Sequence, residues 1–233
     1  MQRYFAKEKQ LNEFILYDSD QHHIKTVMRN KINDQIEVVY ENKVYTCNII
    51  NIEPLSLEII NELSEDRELD IDLTVAVALV QEQKFDLILQ KLTELGVSTI
   101  IPVKTERSIV KIDEKKVEKK LQRWQMICKE ASEQSHRTKI PKVEKIITLK
   151  ELTTIDNNLK LICSLNENTK PLEEYLTKDL KNILFVIGPE GGFSKEEEDK
   201  LIKNGAQNTP RSYYFALMLT DLGDYTFTNK YFN

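Results

Sequence analysis

The feature that most constrains the fold is an alternation of buried strands and amphipathic helices after Asp70. Residues 73–80 form a continuous apolar run, which is typical of a strand covered on both faces. Residues 84–95 carry apolar side chains at helical spacing, and Gly96 follows them as a helix stop. Residues 97–103 predict the next strand. Strands that alternate with helices predict an α/β fold with a parallel sheet.

The same pattern continues toward the C-terminus. It predicts a long helix over residues 113–135 and further strands over 161–164 and 184–187. Ser194 and Glu197 have the spacing of a capping box, which predicts the start of another helix that ends near Gly205.

The first 68 residues have a different pattern, with several short strands. Residues 36–40 and 44–49 flank a predicted hairpin turn at 41–43, and residues 57–60 predict another strand. A short helix is predicted over 22–30, with Ile24, Val27 and Met28 on one face. Short strands at this density predict a small β-barrel. We place the boundary in the polar run at 64–68, which gives domains over 1–68 and 70–233.

Bulk composition narrows the function classes only slightly. The net charge of −5 argues mildly against a nucleic-acid partner, although a local basic face is compatible with it. No apolar run approaches the ~20 residues of a membrane span, and the N-terminus does not resemble a signal peptide. Cys47, Cys128 and Cys163 lack metal-ligand spacing, so we expect buried free thiols, no metal, and a cytoplasmic protein.

The segment with the most chemical information is residues 183–194. It reads as a buried strand, the glycine-rich loop Gly188-Pro189-Glu190-Gly191-Gly192, and a capped helix. Ligands of open parallel sheets bind at the carboxyl ends of strands, where glycines allow close approach of the backbone. The loop matches neither the phosphate-binding loop nor the dinucleotide fingerprint. By local chemistry alone, a ligand loop and a tight turn without a ligand remain equally open.

The surrounding motifs resemble those of the RsmE family, which are RNA methyltransferases of the SPOUT superfamily. The resemblance rests first on Gly188-Pro189-Glu190-Gly191-Gly192-Phe193, followed by Ser194 and acidic helix residues. Further matching stretches lie at residues 90–97 with Pro102 and 106–108, at 123–124, 130–135, 137 and 140–141, and at 3–5, 22–24 and 27–29.

The resemblance implies a PUA-like β-barrel for RNA binding, followed by a SPOUT domain with a trefoil knot that forms a homodimer. It also implies S-adenosylmethionine as the cofactor and N3 of a uridine in small-subunit (16S) ribosomal RNA as the methyl acceptor. The cofactor-binding residues implied by it are Leu165, Ile187, Gly188, Pro189, Glu190, Gly191 and Gly192.

Methyl transfer to uridine N3 is an in-line displacement at a sulfonium methyl, which requires no metal. The enzyme must position the uridine and remove its N3 proton, and arginines can stabilise the resulting anion. Our candidates are Glu94, Arg107, Glu133 and Arg137, with the proton acceptor unassigned. Each has a structural alternative: Glu94 can pair with Lys91 on its helix, and the others can serve as polar surface residues.

The predicted RNA contacts are basic residues, because phosphates pair with Arg and Lys irrespective of sequence. They are Arg3, Lys25, Arg29, Lys31 and Lys91, and scattered solubilising charge remains the alternative. Trp124 lies on the apolar stripe of its helix, which predicts core packing and not base stacking. The three histidines are interpreted as ordinary polar residues.

The resemblance stops at about Gly205. The family pattern continues with a strand, a segment close to Leu-Gly-x-x-Ile-Leu-Arg, and a last helix, whereas this chain has Pro210-Arg211-Ser212-Tyr213-Tyr214-Phe215-Ala216 and a further stretch to Asn233. Codons exist that read as the family segment after a shift of one nucleotide, so a frameshift between about Ala206 and Pro210 is one hypothesis.

Three functions follow from these observations. The first is the rRNA methyltransferase. The second is an RNA-binding, catalytically impaired homologue, because the altered tail replaces the last cofactor loop and helix. The third, an unrelated nucleotide-binding α/β enzyme, is disfavoured by the missing phosphate-loop lysine and dinucleotide fingerprint.

Overall fold

A computed structural model describes residues 1–65, 67–108, 113–164, 169–170, 172–175 and 180–210. Leu165 and the tail after Pro210 lie outside the described residues, so the expectations that rest on them stay predictions. The chain divides into two compact units, residues 1–68 with 132–139, and residues 69–131 with those from 140 onward. Residues 132–139, which the sequence placed in the second domain, therefore pack with the first unit.

The first unit is a curled five-stranded sheet within the part of the chain that the structure describes. The strand order is β2-β1-β3-β4-β5, with one parallel pair, β1 and β3, and antiparallel pairing elsewhere. The edge strands β2 and β5 come together, and the Leu57 backbone N–H donates to Glu13 Oε1 at 3.1 Å. The elements are β1 (Arg3–Gln10), β2 (Glu13–Leu16), α1 (Asp18–His22), a π-helical turn (His23–Val27), β3 (Gln35–Tyr40), β4 (Lys43–Ile52) and β5 (Leu55–Leu63).

The predicted hairpin is confirmed, with a turn one residue shorter than expected. Glu41 and Asn42 have φ values of 50° and 62°, and Tyr40 pairs with Lys43. Positive φ at both turn residues is the type I′ geometry that matches the twist of the flanking strands. The hairpin carries part of the unit's core, where Cys47 is fully buried and burial raises the pKa of its thiol to about 12.

The helix predicted over 22–30 is wrong in its bounds and in its buried face. The α-helix ends at His22, and the π-helical turn that follows has an extra residue per turn, which rotates later side chains off the expected face. Ile24 is buried, but Val27 and Met28 are 61% and 40% exposed.

The second unit is a parallel sheet with order β12-β10-β11-β6-β7-β8, and β9 pairs with β7. Every strand pair among its described residues is parallel, as the sequence predicted. Its strands are β6 (Asp72–Ala78), β7 (Thr99–Lys104), β8 (Lys142–Val143), β9 (Ile147–Thr148), β10 (Leu159–Ser164), β11 (Asn182–Ile187) and β12 (Ala206–Pro210). Its helices are α2 (Glu82–Glu94), α3 (Val117–Gln134), α4 (Leu149–Leu152) and α5 (Lys195–Lys203), with 3₁₀ turns at Glu114–Lys116 and Leu172–Glu174.

This sheet is buried on both faces, because successive side chains of its strands enter two different cores. On β6, Val75 and Val77 join the core that contains Phe85 and Trp124, while Ala76 joins the core on the opposite face. The Phe85 and Trp124 ring centroids are 4.6 Å apart, and Trp124 is 2% exposed. The prediction that Trp124 packs in the core is confirmed.

Two helix-ending glycines provide a test of this packing. Gly96 and Gly205 have φ values of +91° and +87°, but a Cβ at Gly96 would lie 3.0 Å from Leu69 Cδ1, whereas one at Gly205 would meet no atom within 4 Å. We expect Gly205→Ala to lower the free energy of unfolding by about 1 kcal/mol, from backbone strain alone. Gly96→Ala adds a clash and should cost about 2 kcal/mol or more. Urea denaturation with a fixed slope measures both; equal losses would contradict the clash.

Candidate functional site

A cavity lies at the carboxyl edge of the parallel sheet. β10 ends at Ser164 and β11 ends at Ile187, while β7 ends at Lys104 and leads into a turn over 105–108. Because these strands are parallel, the segments that follow them meet at one edge. The order of strands in the sheet departs from their order in the chain at this point. β6 has β7, the next strand in the chain, on one side and β11 on the other. The cavity at this edge has a volume of about 120 Å³ and is open to solvent.

The glycine-rich loop and the end of β11 line part of the cavity. Ile187, Gly188, Pro189, Gly191 and Gly192 all line the cavity, so the structure brings together five of the predicted cofactor residues. The Gly192 N–H donates to the Pro189 carbonyl at 2.8 Å, which closes a tight turn, and Gly192 has φ +71°. A positive φ of this kind favours glycine.

Gly188 is constrained by a close contact and not by a positive φ. A Cβ there would lie 3.1–3.3 Å from three ring atoms of Phe193, which also lines the cavity. The loop backbone therefore packs directly on the Phe193 ring. At Gly191 the nearest atom, Arg107 Cδ, would be 3.9 Å from a Cβ, an ordinary contact.

The predicted capping box at the start of α5 is confirmed. Ser194 Oγ accepts from the Glu197 N–H at 3.3 Å, and Glu197 Oε2 accepts from the Ser194 N–H at 3.0 Å. Glu197 Oε1 also accepts from the Glu106 N–H at 2.7 Å, and Glu197 is 7% exposed. The helix that follows the loop is thus bonded to the turn after β7.

Arg107 is the predicted catalytic residue that the structure brings to the loop. Its Nη1 donates to the Gly191 carbonyl at 2.9 Å, and it lines the cavity from an exposed position. A guanidinium here places positive charge beside the cavity, where it can stabilise a developing anion.

Four cavity residues were missed from the sequence: Cys163, Ser164, Phe193 and Glu198. Ser164 Oγ donates to a carboxylate oxygen of Glu198, which joins the end of β10 to α5. The end of the predicted strand at 161–164 was an available signal for Cys163 and Ser164, and Glu198 lies one helical turn after Ser194. Cys163 is partly exposed, so the expectation of a buried thiol is wrong there and correct for Cys47 and Cys128.

Three predicted residues of the second unit, Glu190, Glu94 and Lys91, have other partners. Glu190 does not line the cavity, because its exposed carboxylate forms an ion pair with Lys84 at the start of α2. Glu94 Oε2 lies 3.0 Å from Lys91 Nζ, and Glu94 Oε1 accepts from Gln90. The structural alternative for Glu94 and Lys91, a pair on the helix surface, is therefore what the structure contains; such pairs contribute about 0.2–0.5 kcal/mol.

Glu133 and Arg137 are buried within the first unit. Glu133 Oε1 accepts from the Phe5 N–H at 3.2 Å, and Arg137 forms an ion pair of 2.6 Å with Glu68. Burial by itself raises the pKa of Glu68, but the bonds from Arg137 and two backbone N–H groups lower it below its ordinary value. The stabilisation from this pair is therefore present above the unfolded-state pKa and is lost as pH falls through the folded-state value.

The basic residues of the first unit that were predicted to contact phosphates differ in their exposure to solvent. Arg29 and Lys31 are exposed, and Lys25 forms an ion pair of 2.6 Å with Glu53. Arg3 is 1% exposed, so the structure removes it from the RNA-contact set. Its guanidinium lies 2.8 Å from Glu37 and 2.9 Å from Glu65, and it donates to the His136 carbonyl.

Two classes of feature are missing from the described part of the chain. Within it, no group of three or more His, Cys, Asp or Glu side chains is arranged to hold a metal ion. None of the helices described is both long and apolar enough to cross a membrane.

Comparison with known family models identifies the class of protein to which both units belong. Residues 67–210 match a family model described as an RNA methyltransferase domain, and residues 16–60 match an RNA methyltransferase PUA domain. The parallel sheet with its cavity at the carboxyl edge is thus a SPOUT-type methyltransferase domain that follows a PUA-like β unit. The match reaches residue 210, beyond Gly205, and so includes β12, whose sequence Ala-Gln-Asn-Thr-Pro lacks an apolar pattern and gave no sequence signal.

The particular family follows from the relatives. The Bacillus subtilis ribosomal RNA small subunit methyltransferase E is 34% identical over 217 residues, which cover 86% of this chain and 85% of that protein. The Mesomycoplasma hyopneumoniae enzyme of the same name is 34% identical over 210 residues, with 89% of each chain covered. The chain belongs to the ribosomal RNA small subunit methyltransferase E family.

Solved structures agree with this assignment. The Neisseria gonorrhoeae ribosomal RNA small subunit methyltransferase E bound to S-adenosylmethionine has a TM-score of 0.84 at 29% identity, with 94% of this chain and 96% of that chain covered. A Legionella pneumophila methyltransferase in complex with the same cofactor has a TM-score of 0.83 at 28% identity, with 93% of both chains covered.

The buried position of Arg3 gives a direct prediction. Arg3→Ala leaves the largely buried Glu37 carboxylate without its cation, and we expect the free energy of unfolding to fall by about 3–5 kcal/mol. The exposed Arg29 is the matched control, and Arg29→Ala should change it by no more than about 0.5 kcal/mol. Urea denaturation of both variants measures the difference. A loss at Arg3 as small as that at Arg29 would rule out the structural role.

Proposed function

We propose that this protein transfers a methyl group from S-adenosylmethionine to N3 of a uridine in small-subunit (16S) ribosomal RNA. The observation that carries the proposal is the cavity built by the glycine-rich loop with Arg107 and Glu198. Further support comes from relatives of the same family and from similar structures that contain S-adenosylmethionine.

The residues of the cavity fit this cofactor chemically. The loop 188–192 supplies closely approachable backbone, Ile187 and Phe193 supply apolar surface, and the Glu198 carboxylate supplies negative charge. A carboxylate favours a cation, and S-adenosylmethionine carries a sulfonium. When bound, the cofactor supplies an activated methyl group, so the residues of the chain need only bind, orient and move a proton.

The proposed role of Arg107 is to stabilise the uridine anion that forms when the N3 proton leaves. Its guanidinium already lies at the cavity, held by the Gly191 carbonyl. Glu94, Glu133 and Arg137 remain proposed catalytic residues, with the proton acceptor unassigned; each now has a described structural partner that it would have to exchange or share.

The first unit is proposed as the RNA-binding part. Arg29 and Lys31 are its exposed basic candidates, and Lys25 can contribute if its Glu53 partner is displaced. The trefoil knot, the homodimer and the cytoplasmic location belong to the same proposal, since the family resemblance implies them. Lys91 stays an RNA-contact candidate of the second unit.

A second candidate function rests on the sequence of the tail. Residues 211–233 depart from the family pattern at the segment that supplies the last cofactor loop and helix. If that sequence is the native one, the chain keeps RNA binding and loses cofactor affinity.

Cofactor titration and an RNA assay separate these functions. We expect the purified chain to bind S-adenosylmethionine in calorimetry and to form N3-methyluridine in small ribosomal subunits that lack this modification, read by nucleoside mass spectrometry. Binding of the subunits without binding of the cofactor supports the impaired homologue. Methylation at a uridine atom other than N3 contradicts the proposed specificity.

The loop glycines test the proposed binding surface. We expect Gly188→Ala to weaken S-adenosylmethionine binding about tenfold, or about 1.4 kcal/mol, because the new methyl group displaces the Phe193 ring from the cavity wall. Gly191→Ala has room for its methyl group and should weaken binding less. Calorimetric titration gives both dissociation constants. The reverse order of losses would contradict the Phe193 contact as a determinant of binding.

A further inference from the structure

We propose that Glu197 is a positioning residue: its single carboxylate holds the turn that carries Arg107 against the helix that follows the glycine-rich loop. The inference rests on the proposed function for the role of Arg107, but the bonding that carries it is independent of any ligand. Every residue involved belongs to the second unit.

The two oxygens of Glu197 bond to different segments. Oε2 accepts from the Ser194 N–H at 3.0 Å, which completes the capping box, and Oε1 accepts from the Glu106 N–H at 2.7 Å. Ser194 directly follows the loop and Phe193, while Glu106 directly precedes Arg107. One buried group, 7% exposed, therefore fixes the backbone on both sides of the cavity.

A second capping box in the same unit shows that capping alone does not need this arrangement. At the start of α4, Glu151 Oε2 accepts from both the Thr148 N–H and Oγ1, and within the described residues its hydrogen bonds stay in that turn. Glu151 is exposed. The extra bond of Glu197 to a distant backbone N–H, in a buried setting, is therefore more than a helix cap.

The turn that Glu197 holds is well defined. The Ser108 N–H donates to the Thr105 carbonyl at 3.2 Å, and the two hydroxyl oxygens lie 2.7 Å apart, so residues 105–108 form a hydrogen-bonded β-turn. Arg107 then reaches the Gly191 carbonyl from this turn. That second bond comes from an exposed side chain, whereas the Glu197 bond is partly buried and goes to the backbone. Glu197 thus determines where the base of Arg107 is located.

Misplacement of a charged group by about 1 Å can cost as much as ~10²-fold in rate, so loss of the Glu197 bond should act through Arg107. Glu197→Gln keeps the size of the side chain, but its amide group accepts hydrogen bonds at one position only. One of the two backbone N–H groups then faces a second donor. Bonds to a charged acceptor are also the stronger ones.

The test combines Glu197→Gln with Arg107→Ala. We expect Glu197→Gln to lower kcat for methylation of small ribosomal subunits about tenfold, with a smaller change in the dissociation constant of S-adenosylmethionine. In the Arg107→Ala background the same substitution should change kcat less than about threefold, since interacting residues are not additive. Additive losses would overturn the proposal.

Two matched controls separate positioning from charge and from capping. Glu196→Gln removes the same charge from the same helical turn at an exposed position and should leave kcat unchanged. Glu151→Gln weakens the other capping box and should lower stability without lowering kcat. A loss of kcat in either control comparable to that in Glu197→Gln would contradict a specific role for Glu197.

A second variant removes the same bond from its other side. Glu106 is the second residue of the β-turn, a position that accepts proline, and proline has no N–H to donate. Glu106→Pro should reproduce the loss of kcat with the capping box intact, while Glu106→Ala, which keeps the N–H, should not. This pair keeps the test valid even if Glu197→Gln fails to fold; full activity of Glu106→Pro would overturn the proposal.

Hydrogen exchange distinguishes failure of this inference from failure of the proposed function. In the wild-type chain the Glu106 amide should be protected, and Glu197→Gln should increase exchange in the peptide that contains residues 105–108, with or without activity. Unchanged exchange there overturns the positioning role. Increased exchange in a chain that binds no cofactor would leave the positioning of the turn supported and the methyltransferase proposal contradicted.

Discussion

The parallel pairing of β10, β11, β6 and β7 is the constraint on which the candidate site depends. Parallel strands end at the same edge of a sheet, so segments far apart in the chain meet there. The turn after β7, the end of β10 and the loop after β11 form one cavity for this reason. Each of these strands contributes side chains to two hydrophobic cores, one on each face of the sheet. This packing holds the strand ends in place.

Hydrogen bonds and close contacts with neighbouring residues determine the local geometry of the site. The glycine-rich loop has little side-chain mass of its own, so its geometry depends on neighbours: Phe193 under Gly188, Arg107 on Gly191, and the capping box that starts α5. The Glu197 carboxylate links this local structure to the turn after β7. Such bonds place the groups that line the cavity, and catalysis depends on accurate placement.

In the first unit, the buried charged residues stabilise the fold. Arg3, Arg137 and Glu133 are polar residues in segments that match family motifs, yet each is buried and bonded to groups of its own unit. Breaking such pairs is costly because it leaves a charge without compensation. Their presence in motifs is thus explained by folding as well as by chemistry, and the exposed Arg29 and Lys31 are the better candidates for contact with phosphates.

The amino-acid sequence was sufficient to predict the fold class, the strand–loop–helix segment at 183–194, its capping box, and the family. These depend on periodicity, glycine positions and short-range spacing, which are local properties of the chain. Which of the candidate catalytic residues face the cavity, and which strand ends join the loop there, depends on the tertiary structure. Arg107 and Ser164 come to the loop because parallel strands bring the segments after them to one edge of the sheet, whereas Glu190 pairs with Lys84 and Glu94 with Lys91. The burial of Arg3 could not be predicted from the sequence either. The sequence around a basic residue has the same local pattern whether its side chain is exposed to solvent or paired with a buried carboxylate.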